Sequence, residues 1–146
     1  MRRATLFAAF ALAALGAAPA GAATRLVHFT SPSGNLNCIG GTSPAFVGCL
    51  AKNATWPNER VQPASCDLDW VPHELTLGSR RVTIGACRGD VGPLCFNDCT
   101  TLRYGTSVNI GPIRCRSAVN GVTCRYVRGK LAGFRIAREG YVIWRA

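Results

Sequence analysis

Histidine and long apolar segments are scarce in this sequence, and each shortage argues against a class of protein. The chain of 146 residues has only two histidines, His28 and His73, and its cysteines form no paired Cys-x-x-Cys knuckles. A zinc site is therefore a poor interpretation, and neither a metal nor a cofactor is expected. After residue 22 no apolar run approaches the roughly 20 residues that cross a bilayer, so no transmembrane anchor is expected there.

The first 22 residues have the pattern of a secretory signal peptide. Two arginines follow the initiator methionine, and residues 6–18 form an unbroken apolar run that is too short to span a bilayer. Small residues then predict cleavage between Ala22 and Ala23, with Ala20 as the second choice. We expect a mature chain of residues 23–146 that folds as one domain and is exported to the periplasm or the extracellular space.

All eight cysteines lie after the predicted cleavage site, which indicates a disulfide framework formed in an oxidising compartment. Eight cysteines allow about a hundred pairings, and the sequence alone does not select one of them. Each bridge contributes ~2–4 kcal/mol by restricting the unfolded chain, less where the closed loop is very short. Pairing within hairpins and short loops favours Cys38–Cys49, Cys115–Cys124 and Cys95–Cys99, which leaves Cys66–Cys87.

Long helical periodicity is absent after residue 22, where short alternating apolar runs are separated by glycine, proline, asparagine and serine. This pattern is typical of antiparallel strands, and it predicts an all-β fold: a small antiparallel sandwich or barrel-like domain cross-linked by disulfides. The large residues expected in its core or at its edges are Trp70, Tyr104, Phe134, Tyr141 and Trp144. The predicted strands are Arg25–Thr30, Leu36–Ile39, Phe46–Ala51, His73–Leu77, Val82–Cys87, Ser107–Ile110, Ile113–Ser117, Val122–Arg128, Gly133–Ala137 and Tyr141–Trp144.

Two local signals conflict in the hairpin that contains Cys115 and Cys124. Asn120-Gly121 is the strongest dipeptide for a two-residue type I′ turn, and a turn centred there would place Cys115 opposite Tyr126. Direct pairing of the two cysteines instead needs a wider loop, from about residue 118 to residue 121. We choose the wider loop, with Gly121 in a positive-φ conformation.

Positive charge is concentrated in the last third of the chain. After residue 22 there are 15 basic and 7 acidic residues, a net charge of +8. Residues 23–99 are balanced, with six of each sign, whereas residues 100–146 contain nine basic residues and a single acidic one, Glu139. Lysine is limited to Lys52 and Lys130, so arginine supplies nearly all of this charge.

The preferred hairpin register places several arginines on the sheet face that points away from the disulfide. Arg114 would lie opposite Arg125, and Arg116 opposite a threonine. Because like charges directly opposite in a sheet are destabilising, a bound anion would stabilise this arrangement. The candidate anions are phosphate, an anionic glycan, a membrane surface and a nucleic acid, and the alternative is a solvated basic surface. The candidate anion-binding residues are Arg114, Arg116, Arg125 and Arg128.

A set of short blocks follows one another along the mature chain in an order that resembles a family of small exported bacterial domains of unknown function. The resemblance covers almost all of the mature chain and implies export, disulfides and a single fold, but no activity. It also implies six typical cysteines, so that Cys95 and Cys99 lie in an insertion and pair with each other. The family's frequent Gly-His-Gly is replaced here by Leu131-Ala132-Gly133, so any role of that histidine is absent. The blocks are Phe29-x-Ser31-Pro32-Ser33-Gly34-Asn35-Leu36-x-Cys38, Trp56-Pro57, Cys66-x-Leu68-Asp69-Trp70, Cys87-x-Gly89-Asp90, Leu102-x-Tyr104-Gly105, Cys115-x-Ser117, Gly121-Val122-Thr123-Cys124 and Phe134-x-Ile136-x-Arg138-Glu139-x-Tyr141.

The favoured functional hypothesis is a non-enzymatic binding or envelope-associated module whose partner is an anionic envelope component or an acidic protein. A ribonuclease-like hydrolase is the alternative, since Glu74, a histidine and arginines are present. His73 and Glu74 are neighbours on a predicted strand and point to opposite faces, so they do not form a dyad. No catalytic residues are therefore assigned. A protease inhibitor that presents the Cys95–Cys99 loop ranks third.

Overall fold

The computed structural model describes residues 23–58, 61–90, 94, 99–129 and 131–145. The predicted signal peptide and its cleavage site at Ala22 lie outside these residues. The described residues contain strands and no helix, which confirms the all-β prediction. The strands are β1 (Leu26–Thr30), β2 (Leu36–Thr42), β3 (Ala45–Ala51), β4 (Asp69–Gly78), β5 (Arg81–Arg88), β6 (Thr100–Thr101), β7 (Ser107–Ile110), β8 (Ile113–Ala118), β9 (Gly121–Tyr126), β10 (Gly133–Ile136) and β11 (Tyr141–Trp144).

The strands form two sheets that correspond to the two halves of the chain. The N-terminal sheet has the order β5-β4-β3-β2-β1-β6, and the C-terminal sheet is a simple meander with the order β11-β10-β9-β8-β7. All neighbouring strands are antiparallel except β1 and β6, which pair in parallel. Strand β6 is not predicted from the sequence, because two threonines carry no periodic signal.

The two sheets pack face to face around one apolar core, so the sandwich form of the prediction is the correct one. Alternate residues of each strand point inward, as in Phe29 and Val47 of the N-terminal sheet and Ile113 and Phe134 of the C-terminal sheet. The sheets approach closely at Gly40, where a Cβ atom would lie only 2.7 Å from the Cδ1 atom of Ile110. Glycine at this position therefore lets the two layers make contact.

Disulfides join the central strand pair of each sheet inside this core. The Cα atoms are 4.1 Å apart in both Cys38–Cys49 and Cys115–Cys124, and all four residues are fully buried. A third bridge, Cys66–Cys87, ties the connection between β3 and β4 to the end of β5. The first two are the pairs that hairpin logic favours, and Cys66–Cys87 is the pair that this logic leaves over. Cys99 is also disulfide-bonded, and Cys95, its expected partner, lies outside the described residues.

The β8–β9 hairpin has the register that pairs Cys115 with Cys124, but its loop is tighter than expected. Ala118 and Gly121 form the last strand pair, which leaves a two-residue loop in place of the predicted wider one. Gly121 has a φ of 120°, as expected. A Cβ atom at Gly121 would also overlap the carbonyl oxygen of Ile136 on β10, so two independent constraints require glycine here.

Strand β4 begins four residues earlier than predicted because an irregularity lets it continue past His73. Val71 lies opposite Ala86 and Leu75 opposite Ile84, so three residues of β4 face the single residue Gly85. Such a bulge bends the strand and increases its local twist. Gly85 has a φ of 81°, and the indole ring of Trp70 occupies the space where a side chain would be.

The substitution Gly85→Ala should destabilise the protein by about 3 kcal/mol. An alanine would keep an unfavourable left-handed conformation and would overlap the Trp70 ring. Gly89→Ala is the matched control, because a Cβ atom there meets no heavy atom within 4 Å. Urea unfolding of the oxidised protein measures both variants. Equal stability of the two variants would contradict this account of the bulge.

Candidate functional site

The outer side of the C-terminal sheet carries a cluster of arginines. Because the cysteines of β8 and β9 point into the core, the residues beside them point to solvent. Strand β10 pairs with β9 and adds Arg135, opposite Thr123. We call this surface the basic face, and it consists of Arg114, Arg116, Arg125 and Arg135. The sequence does not predict Arg135 as part of this surface, because the four residues of β10 do not indicate which strand β10 pairs with.

Two arginines of the basic face are direct neighbours across the sheet. Arg114 lies opposite Arg125, and Arg116 lies opposite Thr123. The Nε atom of Arg114 donates to the Oδ1 atom of Asn109, 3.0 Å away on β7, which draws its side chain away from Arg125. The strands of this sheet contain no acidic residue. Within the described part of the chain, no ion pair involves an arginine of the basic face.

Arg128, unlike the other three predicted arginines, does not lie on a strand of the C-terminal sheet. It follows the end of β9 and is exposed, and it lines a groove of about 340 Å³ together with Arg114 and Val127. The aromatic residue at the border of the basic face is Trp144, which is 41 % exposed and lies across Gly133 from Arg125. A Cβ atom at Gly133 would lie 2.5 Å from the Cβ atom of Arg125, so the Arg125 side chain packs over this glycine.

The residues considered for catalysis do not form one site. Glu74 is on the outer side of the N-terminal sheet, where its Oε2 atom accepts from Arg88 Nε at 2.9 Å. His28 is on the same side but three strands away, about 14 Å at ordinary strand spacing. His73 points elsewhere, with its Nε2 atom 3.0 Å from the carbonyl oxygen of Trp56. The described residues contain no group of three His, Cys, Asp or Glu side chains that would hold a metal.

Burial raises the pKa of Glu74 above its usual value of 4.5, and the nearby Arg88 offsets only part of this increase. The side chain is 6 % exposed, whereas that of Arg88 is 22 % exposed. Such buried ion pairs stabilise a fold weakly, because desolvation of both charges opposes their attraction.

A second concave surface lies where loops of both sheets meet. This end groove has a volume of about 450 Å³. Strand connections from both halves of the chain form its walls, and Tyr104 stands on one of them. Tyr104, expected in the core or at an edge, is 44 % exposed because it sits in a turn. The groove is lined by Ser31, Ser33, Asn35, Leu36, Asn53, Tyr104, Ala118, Val119, Gly121, Ala137, Arg138 and Glu139.

Two packed, mainly antiparallel sheets with disulfides between paired strands define a small disulfide-bonded all-β protein. Its three described disulfides indicate an oxidising, extracytoplasmic environment. Residues 8–144 match a family of unknown function, DUF6636, and the chain belongs to this family. No curated protein and no solved structure matches the chain. No helix among the described residues is long and apolar enough to cross a membrane.

Replacing Glu74 by glutamine should change how stability depends on pH. Because the pKa of Glu74 is raised in the folded chain, its favourable contribution is present below pH 4.5 and is lost as the pH rises through the folded-state value. The stability of the wild type relative to Glu74→Gln should therefore fall as the pH increases above 4.5. Urea unfolding at several pH values measures this difference. A difference that stays constant or grows with pH would contradict the assignment.

Proposed function

We propose that this protein is an exported, non-enzymatic binding module whose basic face holds a polyanionic component of the cell envelope. The observation that supports this most directly is the uncompensated charge of the C-terminal sheet. Four arginines project from strands β8, β9 and β10, the sheet's strands contain no carboxylate, and Arg114 stands directly opposite Arg125. Like charges at this distance repel, and a bound anion would remove the repulsion.

The spacing of the basic face suits a polymer with repeated anionic groups. Paired residues on neighbouring strands are about 5 Å apart, and alternate residues of one strand are about 7 Å apart. Each guanidinium presents a planar set of donors that matches a phosphate, sulfate or carboxylate group. Arg114 and Arg125 would bind one such group, while Arg116 and Arg135, on either side of Thr123, would bind the next groups along the polymer.

Export is part of the same proposal. The signal-peptide pattern of residues 1–22 directs the chain out of the cytoplasm, and the disulfides require an oxidising compartment for their formation. The protein would therefore meet the anionic polymers of the envelope after it crosses the membrane. The hydrolase alternative has less support, because its candidate catalytic residues lie apart in the fold.

Removing charge from the basic face should weaken binding to heparin, which serves as the polyanionic probe. The triple variant Arg114→Gln, Arg116→Gln, Arg125→Gln should lose about 100-fold in affinity, since each surface arginine near an anionic surface contributes ~1 kcal/mol. It should also elute from a heparin column at a lower salt concentration.

The control for this experiment removes the same amount of charge elsewhere. Arg25, Arg81 and Arg103 are all exposed and lie outside the basic face. Their triple replacement by glutamine should shift heparin elution much less. If both triple variants elute together, the protein binds through its net charge alone, and the proposed site is wrong.

Expression with the native N-terminus should give an exported protein that begins at Ala23. Its intact mass should correspond to residues 23–146 with all eight cysteines oxidised, because the compartment favours disulfides over thiols. Treatment with an alkylating agent should leave this mass unchanged. Retention of the first 22 residues, or alkylation of any cysteine, would contradict the export proposal.

A further inference from the structure

We infer that the end groove is a second binding site, which takes a neutral, polyhydroxylated ligand such as a short saccharide. Its volume of about 450 Å³ falls within the range of ~300–1,000 Å³ that small-ligand sites occupy. It is lined by residues outside the basic face, so the inference does not rest on polyanion binding. Three features of the groove support it: a fixed shape, a balanced charge and a set of polar groups with no protein partner.

The first wall of the groove is a turn held by its own hydrogen bonds. Gly34 N donates to Ser31 O at 2.8 Å, which closes the turn between β1 and β2. Proline at the second position and glycine at the fourth, with serine at the first, suit a type I turn. The Ser31 and Ser33 hydroxyls are 3.0 Å apart, and Ser31 Oγ also accepts from Leu36 N. The turn is therefore ordered before any ligand binds.

The walls from different parts of the chain are bonded to one another. Asn35 Oδ1 accepts from Asn53 N at 2.8 Å, which joins the first turn to the segment after β3. The carbonyl oxygen of Arg138 accepts from Thr55 N at 2.8 Å, which joins that segment to the β10–β11 turn. Trp56 packs edge-on against Tyr141, and its Nε1 atom donates to Ala137 O. A pre-formed site of this kind loses little conformational entropy when a ligand binds.

Tyr104 is presented to the groove by a tight turn. Thr106 N donates to Arg103 O, and Gly105 has a φ of 82°, the conformation that the third position of a type II turn requires. Tyr104 occupies the second position and is 44 % exposed. Its ring, with the exposed Val119 on the β8–β9 loop, offers an apolar surface on which the C–H face of a sugar ring would pack.

The polar groups of the groove match hydroxyls better than anions. Arg138 and Glu139 are adjacent and opposite in sign, so the groove is neutral although the chain carries a net charge of +10. Within the described part of the chain, the side chains of Asn53, Tyr104, Arg138 and Glu139 make no hydrogen bond to protein. Together they offer donors and acceptors of every kind that a ring of hydroxyl groups uses.

The test is isothermal titration of the oxidised protein, residues 23–146, with three trisaccharide probes: triacetylchitotriose, maltotriose and mannotriose. We expect at least one probe to bind, with a dissociation constant between micromolar and millimolar. Tyr104→Ala should weaken this binding at least about tenfold, and so should Asn53→Ala, which keeps the backbone bond to Asn35. Trp144→Ala is the matched control, because it removes an equally exposed aromatic ring from the border of the basic face.

Three results would overturn the inference. They are the absence of binding by all three trisaccharides, equal loss of binding in the Tyr104 and Trp144 variants, and binding of triglycine, a zwitterionic probe for Arg138 and Glu139, without any saccharide. Heparin elution of Tyr104→Ala should match that of the wild type, and saccharide binding should survive loss of Arg114, Arg116 and Arg125. The experiments therefore test the two proposed sites independently of each other.

Discussion

The Cys115–Cys124 disulfide fixes the register of β8 against β9, and this register sets both the opposition of Arg114 and Arg125 and the position of the hairpin tip. The two cysteines are buried in the core, so Arg114 and Arg125 beside them must face solvent. The same register ends the hairpin at residues 118–121, whose tip forms one wall of the end groove. The turn signal at residues 120–121 favours a register two residues away. A shift of two residues leaves every side chain on the same face of the sheet, so the apolar pattern is compatible with both registers. The disulfide selects the observed one.

Sequence patterns predicted the elements whose signal is local. The alternating strands, the hairpin disulfides and the opposition of Arg114 and Arg125 depend on neighbouring residues or on a single turn. The features that were not predicted from the sequence depend on pairing between distant segments. Strand β6 forms because Thr100 and Thr101 pair with the edge of β1. Arg135 is part of the basic face because β10 pairs with β9. The end groove is assembled from separate connections, so no single stretch of sequence carries its pattern.

The two sheets differ in what covers their outer sides. On the N-terminal sheet, Asn37, Leu50 and Glu74 point outward and are nevertheless buried. The chain between β5 and β6 connects opposite edges of this sheet, and Leu94 within it lies near Gly48 of the central strand β3. The C-terminal sheet has exposed arginines on its outer side instead. The excess positive charge of residues 100–146 therefore lies on the outer side of the C-terminal sheet. A large partner reaches this side without displacing any described part of the chain.

The order of the disulfides along the chain has a consequence for biogenesis. In each of the three described bridges the two cysteines follow one another in the sequence, with separations of 11, 21 and 9 residues. A chain that emerges from a translocation channel with its N-terminus first exposes its cysteines in that same order. An oxidase that joins each newly exposed cysteine to the one before it produces the native set, and no wrong pair has to be reshuffled. For these three bridges, oxidation in the order of the chain is therefore sufficient to reach the native pairing.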